Sequence, residues 1–239
     1  MSLVGQALAY ARFLNGFPDY LSRVTTRASA EAAIGDRLAR REDIFLATAR
    51  RQFFEYRHSP YRPLFEMAGC AFDDLEALVA RRGVEPALET LRAAGVYFTF
   101  EEYKGRTPVV RNGREIPVAE WQFDNPFLRR YFRSRTSGST GRPTAAPTDL
   151  AHLVRETELR VVLLAAHGAL EHPFVVWRPA LPSGSGLNTM LRQLRMGRPA
   201  VRWFTPMVPG HYRAALKYRL ATSAAVLTGR LCRQPFARP

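Results

Sequence analysis

A chain of 239 residues with 46% apolar and 23% charged side chains has the length for a buried core and the composition of a folded protein, which excludes a disordered one. Two cysteines, Cys70 and Cys232, far apart and outside any CxxC pair, exclude a disulfide framework and a cysteine zinc site; no apolar run reaches the roughly 18–20 residues that span a bilayer. The net charge of +14 is almost wholly arginine, with Lys104 and Lys217 the two lysines, and pairs such as Arg40-Arg41, Arg81-Arg82 and Arg129-Arg130 spread it along the chain, unlike the clustered footprint of a nucleic-acid module.

The first segment, Ser2–Leu21, lacks the basic start and cleavage site of an export signal, so a reducing cytoplasm is the expected compartment. Ile34, Leu38, Phe45 and the Phe53/Phe54 pair recur near helical spacing with Arg and Glu between them, which predicts helices with one buried face. Ser59-Pro60 ends that stretch, because the residue before proline is pushed out of the α region. Asp73-Asp74 opens a short helix, with acids where the dipole favours them, and Glu85-Pro86 opens another that carries Leu88 and Leu91 and stops at Gly95. Val96–Phe100, aromatic and β-branched, predicts a strand. Asn112-Gly113 between two strand-like runs predicts a tight hairpin.

The run Thr136-Ser137-Gly138-Ser139-Thr140-Gly141-Arg142-Pro143-Thr144 follows. Glycines allow positive φ and close backbone approach, successive N–H groups form a concave anion site, and Ser137, Ser139 and Thr140 add hydroxyl donors. No Gly-Lys pair occurs, which excludes the GxxxxGK[ST] loop, and neither a G-x-G-x-x-G opening a helix nor a G-x-S-x-G elbow is present. Beyond it, Thr148 or Asp149 caps a helix that runs to Gly168. Phe174–Trp177 predicts a strand buried on both faces, Leu187–Met196 a helix, Val201–Phe204 a strand, and a last helix begins near Tyr212. Ser183-Gly184-Ser185-Gly186 is either a connector or a second anion site ahead of a helix, and Trp177, Trp203 and Phe204 are either core or pocket wall. His167 and His172 have no acid or cysteine at ligand spacing, so no metal site is expected. Strand–helix alternation predicts an α/β fold: an N-terminal helical segment and β-hairpin leading into an incomplete, largely parallel sheet flanked by helices, divided at 1–132 and 133–239.

The 136–144 run resembles the phosphate loop of the adenylate-forming superfamily, which activates carboxylic acids with ATP before passing them to a thiol. It is most similar to the phenylacetate–coenzyme A ligase branch, whose loop often closes in Pro-Thr. His58-Ser59-Pro60-Tyr61-Arg62 is similar in part to the Ser-Pro-aromatic-Tyr-Arg entry of that branch. The resemblance implies ATP and Mg²⁺, a small carboxylic acid as substrate and coenzyme A as co-substrate. It makes Thr136, Ser137, Gly138, Ser139, Thr140 and Gly141 the phosphate cradle. Thr144 stands where many members carry lysine and supplies no point charge, and Arg142 is the nearest cation.

The superfamily's downstream features are an aromatic-rich Thr-Glu motif, a ribose-binding Asp, a hinge and a C-terminal catalytic Lys. None is recognisable between Ala145 and Pro239, and Lys217 lacks the Gly-Lys setting. The expectation is therefore a truncated, split or decayed version whose C-terminal half lies on a separate polypeptide, with the catalytic residues unassigned. Two other classes stand beside it. One is a non-catalytic interaction remnant of the fold. The other is a basic protein that binds nucleic acid or an anionic membrane surface, aided by the amphipathic segment Leu3–Leu21, and it requires salt-sensitive binding.

Overall fold

The structure, a computed structural model, describes residues 3–128, 131–135, 145–181, 183–205 and 216–239. In chain order its helices and strands are α1 (Leu3–Asn15), α2 (Phe17–Leu21), α3 (Arg27–Ala39), α4 (Arg41–Ala49), α5 (Arg62–Met67), α6 (Phe72–Arg82), α7 (Val84–Ala93), α8 (Phe100–Tyr103), β1 (Val109–Arg111), β2 (Arg114–Ile116), β3 (Tyr131–Arg135), β4 (Ala145–Asp149), α9 (Leu150–Ala166), β5 (Val175–Trp177), α10 (Ser185–Arg195), β6 (Arg202–Phe204) and α11 (Leu216–Leu231). A π-helical turn at Arg50–Phe54 follows α4, and a 3₁₀ turn covers Glu120–Phe123. The fold is thus a mixture of helix and strand, and among the described residues the strands pair as three two-stranded sheets.

The chain divides into two compact units, residues 36–127 and the discontinuous pair 1–35 with 128–239. The 36–127 unit is held by Leu64, Phe65, Leu75, Val79, Ala87, Leu91, Val109 and Ile116. Its hairpin forms where the sequence predicts: Val109 pairs with Ile116 and Arg111 with Arg114, and the turn residues Asn112 and Gly113 both take positive φ (48° and 74°). That is the conformation a two-residue turn needs to match strand twist. Around Tyr61, Phe98, Phe123 and Tyr103 the rings meet edge to face at 4.9–5.0 Å.

The expected strand at Val96–Phe100 does not form. Thr99 instead caps α8: its hydroxyl accepts from the Glu102 N–H at 3.2 Å, while the Glu102 carboxylate accepts from the Thr99 N–H at 2.7 Å. This reciprocal pair satisfies two orphan donors of a helix start and outweighs the β preference of the aromatic residues.

In the other unit, Phe13 and Phe17 of α1 and α2 pack with Phe132 of β3, Leu153 of α9, and Leu187, Met190 and Leu191 of α10. Phe13 and Phe132 have ring centroids 4.9 Å apart. β5 and β6 are parallel, with Val176 opposite Trp203, and α10 is the crossover between them. The Trp203 indole N–H donates to the Arg178 carbonyl at 2.8 Å, fixing the end of β5 against β6. β5 is not buried on both faces: Val176 is 3% exposed, but Val175 and Trp177 are 59% and 74% exposed. α10 covers one face of the pair; the other is open, so the apolar residues there remain in contact with solvent.

Candidate functional site

All the residues expected in the phosphate cradle, Thr136, Ser137, Gly138, Ser139, Thr140, Gly141 and Thr144, lie outside the described residues, as does Arg142. The strands on either side of them are described. β3 and β4 are antiparallel over five pairs, from Tyr131 opposite Asp149 to Arg135 opposite Ala145. The last paired residues therefore bracket the nine-residue run 136–144.

Both strands are anchored. Phe132 is 4% exposed against Phe13, and Thr148 is buried. At the far end of β4 the Asp149 carboxylate accepts from the His152 N–H at 2.7 Å and caps α9, one of the two caps expected from sequence. The helix ends at His167, and Gly168 takes positive φ (64°), the usual left-handed exit.

The composition of 136–144 suits an anion. Every residue but Pro143 brings an N–H, Thr136, Ser137, Ser139, Thr140 and Thr144 bring hydroxyls, and no acid occurs from Arg133 to Thr148 to repel an anion. A divalent cation on a bound polyphosphate would be held by the phosphate oxygens, since the run offers no carboxylate. Among the described residues no three His, Cys, Asp or Glu side chains come together as metal ligands.

A groove of about 470 Å³ borders β3. Its apolar walls come from α1 and α11, chiefly Tyr10, Leu14, Leu220 and Ala221, and it is rimmed by Arg133 of β3 and Lys217 of α11. The Tyr10 hydroxyl donates to the Ala221 carbonyl at 2.7 Å, and burial raises this phenol's pKa, so it stays protonated and keeps α1 on α11. Volume, apolar lining and few polar groups match the sites that take small organic ligands. Nothing in the sequence signals this groove beyond an amphipathic α1, because its walls are brought together from the two ends of the chain.

The remaining candidates fall elsewhere. Trp203 is core at 3% exposure, whereas Trp177 and Phe204 are exposed on the open face of the parallel pair. Both cysteines carry free thiols, with pKa values raised by burial and, at Cys70, also by the Asp74 charge, so neither is an activated nucleophile. No helix of the described residues is long and apolar enough to cross a membrane. Comparison of the chain with protein-family models, with curated proteins and with solved structures finds no match.

Proposed function

We propose that the chain carries the phosphate-binding part of an ATP-dependent, AMP-forming activation of a carboxylic acid, with a thiol such as coenzyme A as acceptor. The observation that carries this reading is the in-register closure of β3 on β4. It fixes the residues on either side of the glycine- and hydroxyl-rich run, Arg135 and Ala145, opposite one another, and binding segments held by rigid strands are common devices. The parallel β5–α10–β6 crossover supports the finer expectation for the fold, the first part of a largely parallel sheet flanked by helices.

The groove beside β3 supplies the second element of the reading. Its apolar walls suit an alkyl or aryl acid, and Lys217 and Arg133 at the rim suit the carboxylate. Arg133 stands three residues before Thr136, so the chain between them spans at most about 11 Å. ATP, when bound, supplies the adenylyl group; the chain's own part is to hold the phosphates through loop N–H and hydroxyl donors and to exclude water from the acid. The Ser/Thr hydroxyls are neutral donors and Arg142 is the one cation of the run, so Mg²⁺ would offset the remaining phosphate charge.

Isothermal titration of ATP with Mg²⁺ tests this. The full chain is expected to bind saturably, and Ser139→Ala with Thr140→Ala to weaken binding about tenfold or more, corresponding to loss of one or two charge-assisted hydrogen bonds. A folded chain that shows no saturable binding, or a double variant that binds as well as the parent, overturns the reading.

A further inference from the structure

α9, α10 and β5 enclose a cleft of about 440 Å³. α10 is two-faced. Leu187, Met190, Leu191 and Leu194 bury one stripe in the core, while Ser185, Asn188, Thr189 and Arg192, at the same i, i+3, i+4, i+7 spacing, line the cleft. Arg160 of α9 and Arg178 after β5 bring two more guanidinium groups to the same space.

The cleft holds more charge and more hydrogen-bonding capacity than the described residues satisfy. Arg192 donates to the Glu156 carboxylate at 2.6 Å and to the Thr189 hydroxyl at 3.1 Å, but its Nε is buried without a partner, as is the Nε of Arg160. Of the three arginines, Arg192 is the one bonded to a carboxylate among the described residues, that of Glu156. Burial, and then repulsion from Arg192 and Arg178, disfavours the charged form of Arg160. Gln193 is 0% exposed, and neither its amide oxygen nor its amide nitrogen has a partner; the Asn188 side-chain oxygen is in the same position. Buried polar atoms are bonded in the great majority of folded proteins, because one left without a partner forfeits its hydration for nothing in return. Five such atoms around one cleft mark a place built to be filled.

We propose that this cleft binds an organic phosphate: a phosphate monoester whose three terminal oxygens meet Arg160, Arg178 and Arg192, and whose hydroxyl groups donate to Asn188 and Gln193. Guanidinium forks match phosphate geometry, which accounts for the arginines. Inorganic phosphate can reach the amide oxygens only through its own P–OH groups, which takes those oxygens away from the arginines; an ester with alcohol hydroxyls satisfies both sets at once. The proposal does not depend on nucleotide binding at 136–144.

Titration calorimetry of the full chain at constant ionic strength, with glycerol 3-phosphate and inorganic phosphate as probes, decides it. Glycerol 3-phosphate is expected to bind saturably and several-fold tighter than inorganic phosphate. Arg160→Gln should weaken it about tenfold, while the exposed control Arg81→Gln and the pair Ser139→Ala/Thr140→Ala leave it unchanged. Because Arg160 is a repelled, half-buried cation, Arg160→Gln should melt no lower than the parent without ligand. Gln193→Met, which keeps side-chain volume and removes the amide, provides a second variant and should also weaken binding. No saturable binding by the folded chain overturns the site, as does a loss shared equally by Arg81→Gln. Loss in the loop pair but not in Arg160→Gln would assign the phosphate to 136–144 and overturn it too. Equal affinity for the two probes would overturn the role of Asn188 and Gln193.

Discussion

The Glu102 carboxylate has two duties. It closes the cap of α8 through the Thr99 N–H and receives Arg111 as a two-pronged pair at 2.7 and 3.1 Å, with both side chains about nine-tenths buried. Arg111 also donates to the carbonyls of Gly95 and Tyr97, so one guanidinium joins three stretches of the 36–127 unit. The Arg111 hydrogen bond, strengthened by the cap bonds and opposed by burial, holds the Glu102 pKa down at about 2. Because the folded value lies below the ordinary glutamate value of about 4.3, the contribution is complete above that pH and is lost as pH falls towards 2. Glu102→Gln is expected to cost about 2 kcal/mol at pH 7, the order of a charge-assisted bonded pair. Urea unfolding from pH 7 to 2.5 checks this: the gap between parent and variant should narrow below pH 4.5. A gap constant with pH would refute the pairing. Gly186 presents a steric test of the other unit. A Cβ there would lie 2.4 Å from the Trp203 ring and 2.5 Å from the Pro179 carbonyl oxygen. Since the carbonyl cannot swing aside as a side-chain end does, Gly186→Ala should cost about 2 kcal/mol, read as a lower urea midpoint.

At the scale of elements, legibility in the sequence followed how local the deciding interaction is. The 112–113 hairpin and the Asp149 cap were legible because each is settled within a few residues: positive φ at Asn112 and Gly113, and one carboxylate on a nearby N–H. Gly113→Ala should cost about 1 kcal/mol, since a Cβ at φ 74° is strained whatever room surrounds it; thermal melting of the variant measures it. The cap of α8 was equally local, a Thr-x-x-Glu pattern at Thr99–Glu102, but the aromatic residues beside it carried a competing strand signal. The π-helical turn at Arg50–Phe54 left no such trace, because it differs from the α-helix only in which carbonyl each N–H meets. The burial of β5 is not legible in its sequence for a different reason. A continuous apolar run gives no period from which to tell one covered face from two, and α10 covers only one. The candidate sites divide in the same way. The 136–144 run announces itself as a local motif, whereas Arg160, Arg178 and Arg192 converge only after α9, β5 and α10 have packed.

At the scale of the molecule, the buried side chains separate cleanly. The cluster around Leu75, Val79 and Leu91 draws every member from residues 36–127, and those around Phe13 with Leu191 and around Ala30 with Val161 draw every member from the other unit. Cooperativity comes from shared burial, so two cores with no buried residue in common should unfold as two transitions. Scanning calorimetry of the full chain with the two variants above tests this directly. For a unit of this size a loss of 1 kcal/mol lowers the midpoint by roughly 4–8 °C, so Glu102→Gln should bring down the 36–127 transition by about 10 °C. It should leave the second transition in place. Gly186→Ala should do the reverse, with a smaller displacement of about 6 °C because its unit is larger and its unfolding entropy greater. A ligand that binds one unit should raise that unit's transition alone, so glycerol 3-phosphate is expected to move the transition that Gly186→Ala lowers. If both variants displace a single common transition, the two cores are coupled and the division into independent units fails.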